Sequence, residues 1–74
     1  MDIKINGIIK IFDVTHLNYE DVITQAGYGR ERIISVVYSS KRSGDAQRSG
    51  ILCPGDCVQI EDGMIFNAYD TGNA

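Results

Sequence analysis

An Asn-Gly pair between two isoleucine-rich runs constrains this chain more than any other feature. Asn6-Gly7 follows Ile3 and Ile5 and precedes Ile8-Ile9-Lys10-Ile11-Phe12. The two-residue turn that best matches strand twist needs positive φ at both central positions, which asparagine and glycine adopt most readily. The start of the chain therefore predicts a β-hairpin. Alternation sets Ile9 and Ile11 on one face and Ile8, Lys10 and Phe12 on the other, with a bulge able to exchange the sets. Either assignment leaves apolar side chains in water.

Residues 13–17 read as a loop, and Asn18 is placed to cap a short helix whose first turn carries Glu20 and Asp21, where the helix dipole favours anions. Val22, Ile23 and Ala26 form its apolar face, and Gly27 and Gly29 end it. The run 33–39, with Ile33, Ile34, Val36, Val37 and Tyr38, has the β-branched and aromatic content of a central strand. Residues 41–50 are polar and aperiodic and predict a mobile loop carrying Lys41, Arg42 and Arg48. Pro54-Gly55-Asp56 marks a turn, 57–60 a short strand, Glu61-Asp62-Gly63 a second turn and 64–69 a last strand. Asn67 does not belong in an apolar core, so Met64, Phe66 and Ala68 are expected inward, with Ile65 and Tyr69 outward.

A hairpin, one helix and further strands must cover one sheet face with the helix and leave the other open, which is an α+β layout. The helix after the second strand permits a crossover that sets the last strand parallel to the first. The expected fold is thus a β-grasp: a mixed sheet of four to five strands with one helix across one face. Residues 1–70 form its single domain and 71–74 a C-terminal tail. The chain has 74 residues, 43% of them hydrophobic, which leaves no room for a second domain. A core of this size rarely supplies more than about 3–5 kcal/mol.

Two cysteines and one histidine cannot complete a zinc site or hold an iron–sulfur cluster within one chain. Ten acidic residues against seven basic ones give a net charge of −3, the wrong sign for capturing a phosphate backbone, so nucleic acid is not an expected partner. No apolar run approaches the length of a membrane span, and Met1-Asp2-Ile3-Lys4-Ile5 lacks the parts of a signal peptide. The expectation is a soluble, cytoplasmic chain without a membrane partner.

Several of these segments, in this order and spacing, resemble the bacterial ubiquitin-like proteins related to the multiubiquitin domain, which occur beside ubiquitin-type enzymes in antiviral defence operons. Ile5-Asn6-Gly7, Tyr19-Glu20-Asp21-Val22, Ala26-Gly27-Tyr28 and Val36-Val37-Tyr38 carry the likeness. Its most specific parts are Pro54-Gly55-Asp56 and Gly63-Met64-Ile65-Phe66-Asn67, and together these cover almost the whole chain. The resemblance implies a protein modifier that works through a C-terminal glycine. An activating enzyme would join that carboxylate to the α-phosphate of ATP and pass the acyl group to a cysteine thiolate, and a conjugating enzyme would carry it to a target protein. Glycine suits the role because, without a Cβ, it threads a narrow channel and leaves its carbonyl open to attack.

Gly72 is the one candidate for conjugation. Asn73 and Ala74 would then be removed by a peptidase cutting between Gly72 and Asn73, in this family plausibly a zinc enzyme. The tail departs from the family pattern in carrying Thr71-Gly72 instead of a glycine pair. It is also short: Asp70 to Gly72 spans about 10 Å when extended, so part of the final strand is expected to peel away.

No Cys-His or Ser-His-Asp set can be specified from one histidine, and no Gly-Lys-Ser/Thr follows any glycine pair, so the chain is expected to be an enzyme's substrate, without a cofactor. His16 is assigned to the surface. Cys53 and Cys57 could form a disulfide, half of a metal site shared between chains, or a reactive thiol; reduced cysteines with buried or half-buried side chains are the favoured reading. Lys41, Arg42 and Arg48 either form a solvated loop or dock an acidic enzyme surface. The open sheet face, with Ile65, Tyr69 and either Ile33, Ser35 and Val37 or Ile34, Val36 and Tyr38, is the expected recognition patch, and self-association covering it is the rival.

Overall fold

The structure is a computed structural model that describes residues 1–29, 33–40 and 48–70. Strands β1 (Asp2–Ile5) and β2 (Ile8–Ile11) form the opening hairpin, with Asn6 at φ 51° and Gly7 at φ 83° in the turn between them. A short strand β3 (His16–Asn18) leads into helix α1 (Tyr19–Gln25), followed by β4 (Ile34–Ser40), β5 (Arg48–Leu52), β6 (Cys57–Gln59) and β7 (Ile65–Asp70). The main sheet has the order β2-β1-β7-β4-β5. It is mixed: β7 runs parallel to β1 and antiparallel to β4. With one helix on one face, this is a small α+β architecture whose last strand lies at its centre.

The helix begins where its capping residues dictate. The Asp21 amide donates to Asn18 Oδ1 (2.8 Å) and the Asn18 amide donates to Asp21 Oδ2 (3.2 Å), a reciprocal capping box. It ends in a Schellman arrangement, in which Gly27 N–H donates to Thr24 O (3.1 Å) and Tyr28 N–H to Ile23 O (2.9 Å). Gly27 at φ 90° makes that reversal possible and turns Tyr28 back over the core. Between these caps α1 buries Tyr19, Val22 and Ile23. The Tyr19 hydroxyl donates to Ile34 O (2.8 Å) inside the core and ties the helix to β4.

The core lies between α1 and the sheet. Ile3, Ile5, Val22, Val36, Met64 and Phe66 are its largest fully buried side chains, each burial contributing about 1.5–3 kcal/mol. Met64, Phe66 and Ala68 all face inward as the polarity of Asn67 requires, and Ile34 and Val36 share that side. The open choice for β4 is thereby resolved: Ser35 and Val37 lie on the outer face. The register Lys4↔Ile9 and Asp2↔Ile11 resolves the hairpin too, placing Ile9 and Ile11 on that same outer face.

Two expectations about loops are corrected. His16–Asn18, expected as the end of a loop and a cap, is a strand paired antiparallel with β6, with Leu17 opposite Val58 and both buried. This small second sheet closes one end of the core, and the Ile60 amide extends it by donating to Thr15 O (2.9 Å). Arg48, Ser49 and Gly50 belong to β5 instead of a loop, paired with Ser40, Ser39 and Tyr38 of β4. Lys41 and Arg42 lie outside the described residues, as do the side chain of Arg48 and the tail with Gly72 and Asn73.

Candidate functional site

The helix covers the inner sheet face only. Side chains of β1, β2, β4, β5 and β7 that point the other way meet solvent, and cross-strand pairing orders them into rows. One row runs Ile9, Lys4, Ile65, Ser39, Ser49, and the next runs Asn67, Val37, Ile51. Tyr69 stands opposite Ser35 beyond them. Ile11, Ile51 and Ile65 are 81%, 68% and 37% exposed, and Ile9 and Tyr69 are exposed as well. Isoleucines therefore alternate with serine, asparagine and lysine across the whole face. A depression of about 210 Å³ opens among Asp2, Ile3, Lys4, Ile9, Gly63 and Ile65 at the β2 side.

Ile65 and Tyr69 sit on this face, as alternation along β7 predicts. Sequence reasoning passed over Ile51, because the polar Arg48-Ser49-Gly50 segment before it hid the strand that presents it. The adjacent apolar pair Ile51-Leu52 carries the signal, with Leu52 buried and Ile51 in water. Alternation groups Ile9 with Ile11, but only the pairing with β1 shows which way they point.

The second candidate is the C-terminal end of β7, which leads to Gly72. β1 has turned away at Asn6, yet Asp70 is still paired with Ile34 of β4. The last described strand thus leaves the centre of the sheet with a neighbouring strand on both sides up to Phe66, beyond which the Asn6 side chain accepts from the Ala68 amide (2.7 Å).

Cys53 and Cys57 require a correction: both are free and both are exposed, not buried or half-buried. The cause is the turn between them. Asp56 N–H donates to Cys53 O (2.9 Å), and the Asp56 carboxylate accepts from the Cys53 amide (3.2 Å). Tyr19 N–H also donates to Asp56 O (3.2 Å), anchoring the turn at the helix start. The loop is held by Asp56, and the thiols are left at its outside. Exposed His16 makes a local contact between its Nδ1 and the Thr15 hydroxyl (2.9 Å).

Among the described residues no group of three or more His, Cys, Asp or Glu side chains is arranged to hold a metal ion, and no helix is long and apolar enough to cross a membrane. No protein-family model, curated protein or solved structure matches the chain.

Proposed function

We propose that this chain is a β-grasp, ubiquitin-like protein modifier of a bacterial ubiquitination-like pathway acting in the cytoplasm. The observation that carries the reading is the parallel pairing of the last strand with the first at the centre of a mixed sheet. That topology delivers the C-terminal segment from a rigid platform, with Gly72 following Asp70 at a distance of two residues. The likeness in turn and strand sequences noted above supports the same reading.

In the proposed cycle a peptidase hydrolyses the Gly72–Asn73 bond and frees the Gly72 carboxylate. That carboxylate attacks the α-phosphorus of ATP and expels pyrophosphate, giving an acyl-adenylate. A cysteine thiolate of the activating enzyme then attacks the Gly72 carbonyl and AMP departs. The acyl group passes to a conjugating enzyme and finally to an amine or hydroxyl of a target protein. The chain supplies the acyl group and the docking surface, and the enzymes supply the catalytic residues. Ile65, Tyr69, Ile51 and Val37 would dock those partners, with Lys41, Arg42 and Arg48 steering encounter.

The test is the intact mass of the N-terminally tagged chain recovered from its native host under denaturing conditions, alongside every tagged species of higher mass. Loss of Asn73 and Ala74 with adducts through the Gly72 carboxyl is the expected result, and Gly72→Val is expected to abolish both. A full-length mass without adducts, while the pathway is active, overturns the proposal. The exposed isoleucines of the outer face favour a second reading, an interaction module that binds through that face without a bond. Under that reading Gly72→Val leaves binding untouched and Ile51→Asp removes it.

A further inference from the structure

The parallel ladder between β1 and β7 stops early. Lys4 N–H donates to Met64 O (3.0 Å) and Asn6 N–H donates to Phe66 O (3.0 Å), after which the chain reverses through Asn6-Gly7 into β2. No β1 backbone remains opposite Ala68. Because the carbonyls of Met64 and Phe66 accept from β1 and backbone polar groups alternate sides along a strand, the amide and carbonyl of Ala68 point to this same, now vacated side. Two side chains take the place of the missing strand: Asn6 Oδ1 accepts from the Ala68 amide at 2.7 Å, and the Tyr28 hydroxyl donates to the Ala68 carbonyl at 3.3 Å. Both come from turns whose backbones are fixed for other reasons, Asn6 from the hairpin and Tyr28 from the residue after the helix-ending Gly27.

We infer that Asn6 and Tyr28 form a two-sided latch on Ala68 that sets how readily the C-terminal end of β7 leaves the sheet. Upstream, β7 is bonded to a strand on each side and opens only with the whole sheet. From Ala68 onward no β1 backbone is paired with it, and on that side Ala68 is bonded to these two side chains instead, which makes this the section of the strand able to open locally. Releasing its three residues lengthens the free chain by about 10 Å, at ~3.4 Å each. The functional weight of the latch rests on the modifier reading: an enzyme that draws Gly72 into an extended channel gains that reach when the latch opens. The latch itself is a property of the fold and is measured without any enzyme.

The measurement is amide hydrogen exchange of the full chain in four forms. Asn6→Gly keeps a residue suited to positive φ and removes the acceptor; Asn6→Asp keeps an acceptor in place; Tyr28→Phe removes the hydroxyl alone; the fourth form is the parent. The decisive probe is the Tyr69 amide, on the β4 side of the strand, which loses no partner of its own in any variant. Asn6→Gly and Tyr28→Phe are each expected to speed exchange at Tyr69 by about 2- to 10-fold, the range for loss of one ordinary hydrogen bond. Asn6→Asp is expected to stay near the parent, and Val36, in the middle of β4, to remain unchanged.

Faster exchange at Ala68 with none at Tyr69 overturns the latch, since it shows one local bond lost and no release. A rise at Tyr69 matched by an equal rise at Val36 overturns it too, since it shows global destabilisation. Adduct formation in the host is scored separately: its absence defeats the modifier reading and leaves the exchange result standing.

Discussion

Gly50 sits in β5 directly opposite Tyr38 of β4, and an alanine there tests how the two hairpin strands fit. Glycine inside a strand ordinarily costs about 0.5–1 kcal/mol relative to alanine, and Gly50 has no positive φ to demand it, so Gly50→Ala in an open site would stabilise the protein. The structure reverses that sign. A Cβ at position 50 would lie 2.8 Å from Tyr38 Oη, 3.1 Å from Cζ and 3.4 Å from Cε2. The hydroxyl end could swing aside, but the Cζ contact involves the ring itself. The ring leans on Phe66, with centroids 6.1 Å apart at 42°, and Phe66 is wholly buried. Overpacking of this kind costs about 1–3 kcal/mol. Set against the gain in backbone entropy, the net loss is ~1 kcal/mol, which lowers Tm by roughly 4–8 °C in a domain of this size.

The reasoning is checked by a double-mutant cycle with Tyr38→Val, followed by urea denaturation with far-UV circular dichroism. Without the ring, Gly50→Ala should become stabilising by about 0.5–1 kcal/mol, giving a coupling energy near 1.5–2 kcal/mol between the two sites. A Gly50→Ala that stabilises the parent protein, or shifts both backgrounds equally, would refute the claim that the tyrosine ring occupies the space above Gly50.

Tyr19→Phe removes a buried hydroxyl and leaves the Ile34 carbonyl without its donor, so it should cost about 1–3 kcal/mol in the same assay. Asn18→Ala takes away one half of the capping box and should cost ~1 kcal/mol, whereas Asn18→Asp should recover most of it. Gly27→Ala forces a Cβ into the left-handed region at φ 90° and should cost about 1–2 kcal/mol, although no atom stands within 4 Å of the new methyl. Ile51→Ser, on the outer face, should change stability by less than about 0.5 kcal/mol, while Phe66→Ala should cost ~3–5 kcal/mol and unfold much of the population at 37 °C.

The parts of the fold that were legible are those where a single residue type answers a local demand. Asn6-Gly7 meets the need for two positive φ angles, Asn18 and Asp21 meet the orphan amides of a helix start, and Asn67 sets the inward parity of Met64, Phe66 and Ala68. What escaped depends on partners far away in sequence. β3 offers only Leu17 as an apolar residue and exists because Val58 stands opposite it. β5 begins Arg48-Ser49-Gly50, a composition that argues against a strand until Tyr38 is seen lying over the glycine. The exposure of Cys53 and Cys57 follows from Asp56 bonding back across the turn, which no hydropathy scale registers. On the outer face, Ile65 and Tyr69 followed from parity, while Ile51 required knowing that its segment was extended.

The central placement of β7 makes the protein separable in a particular way. The β1–β2 hairpin and the β4–β5 hairpin do not pair with each other; each joins the sheet through β7 alone. A chain cut in the Glu61-Asp62-Gly63 turn would therefore yield a long fragment lacking its middle strand and a short peptide carrying Met64, Phe66 and Ala68. Neither piece can bury those side chains by itself, and reassembly buries all three at once. The fold thus has the anatomy of a fragment-complementation pair, in which a signal split across that turn reports the meeting of whatever the two pieces are attached to.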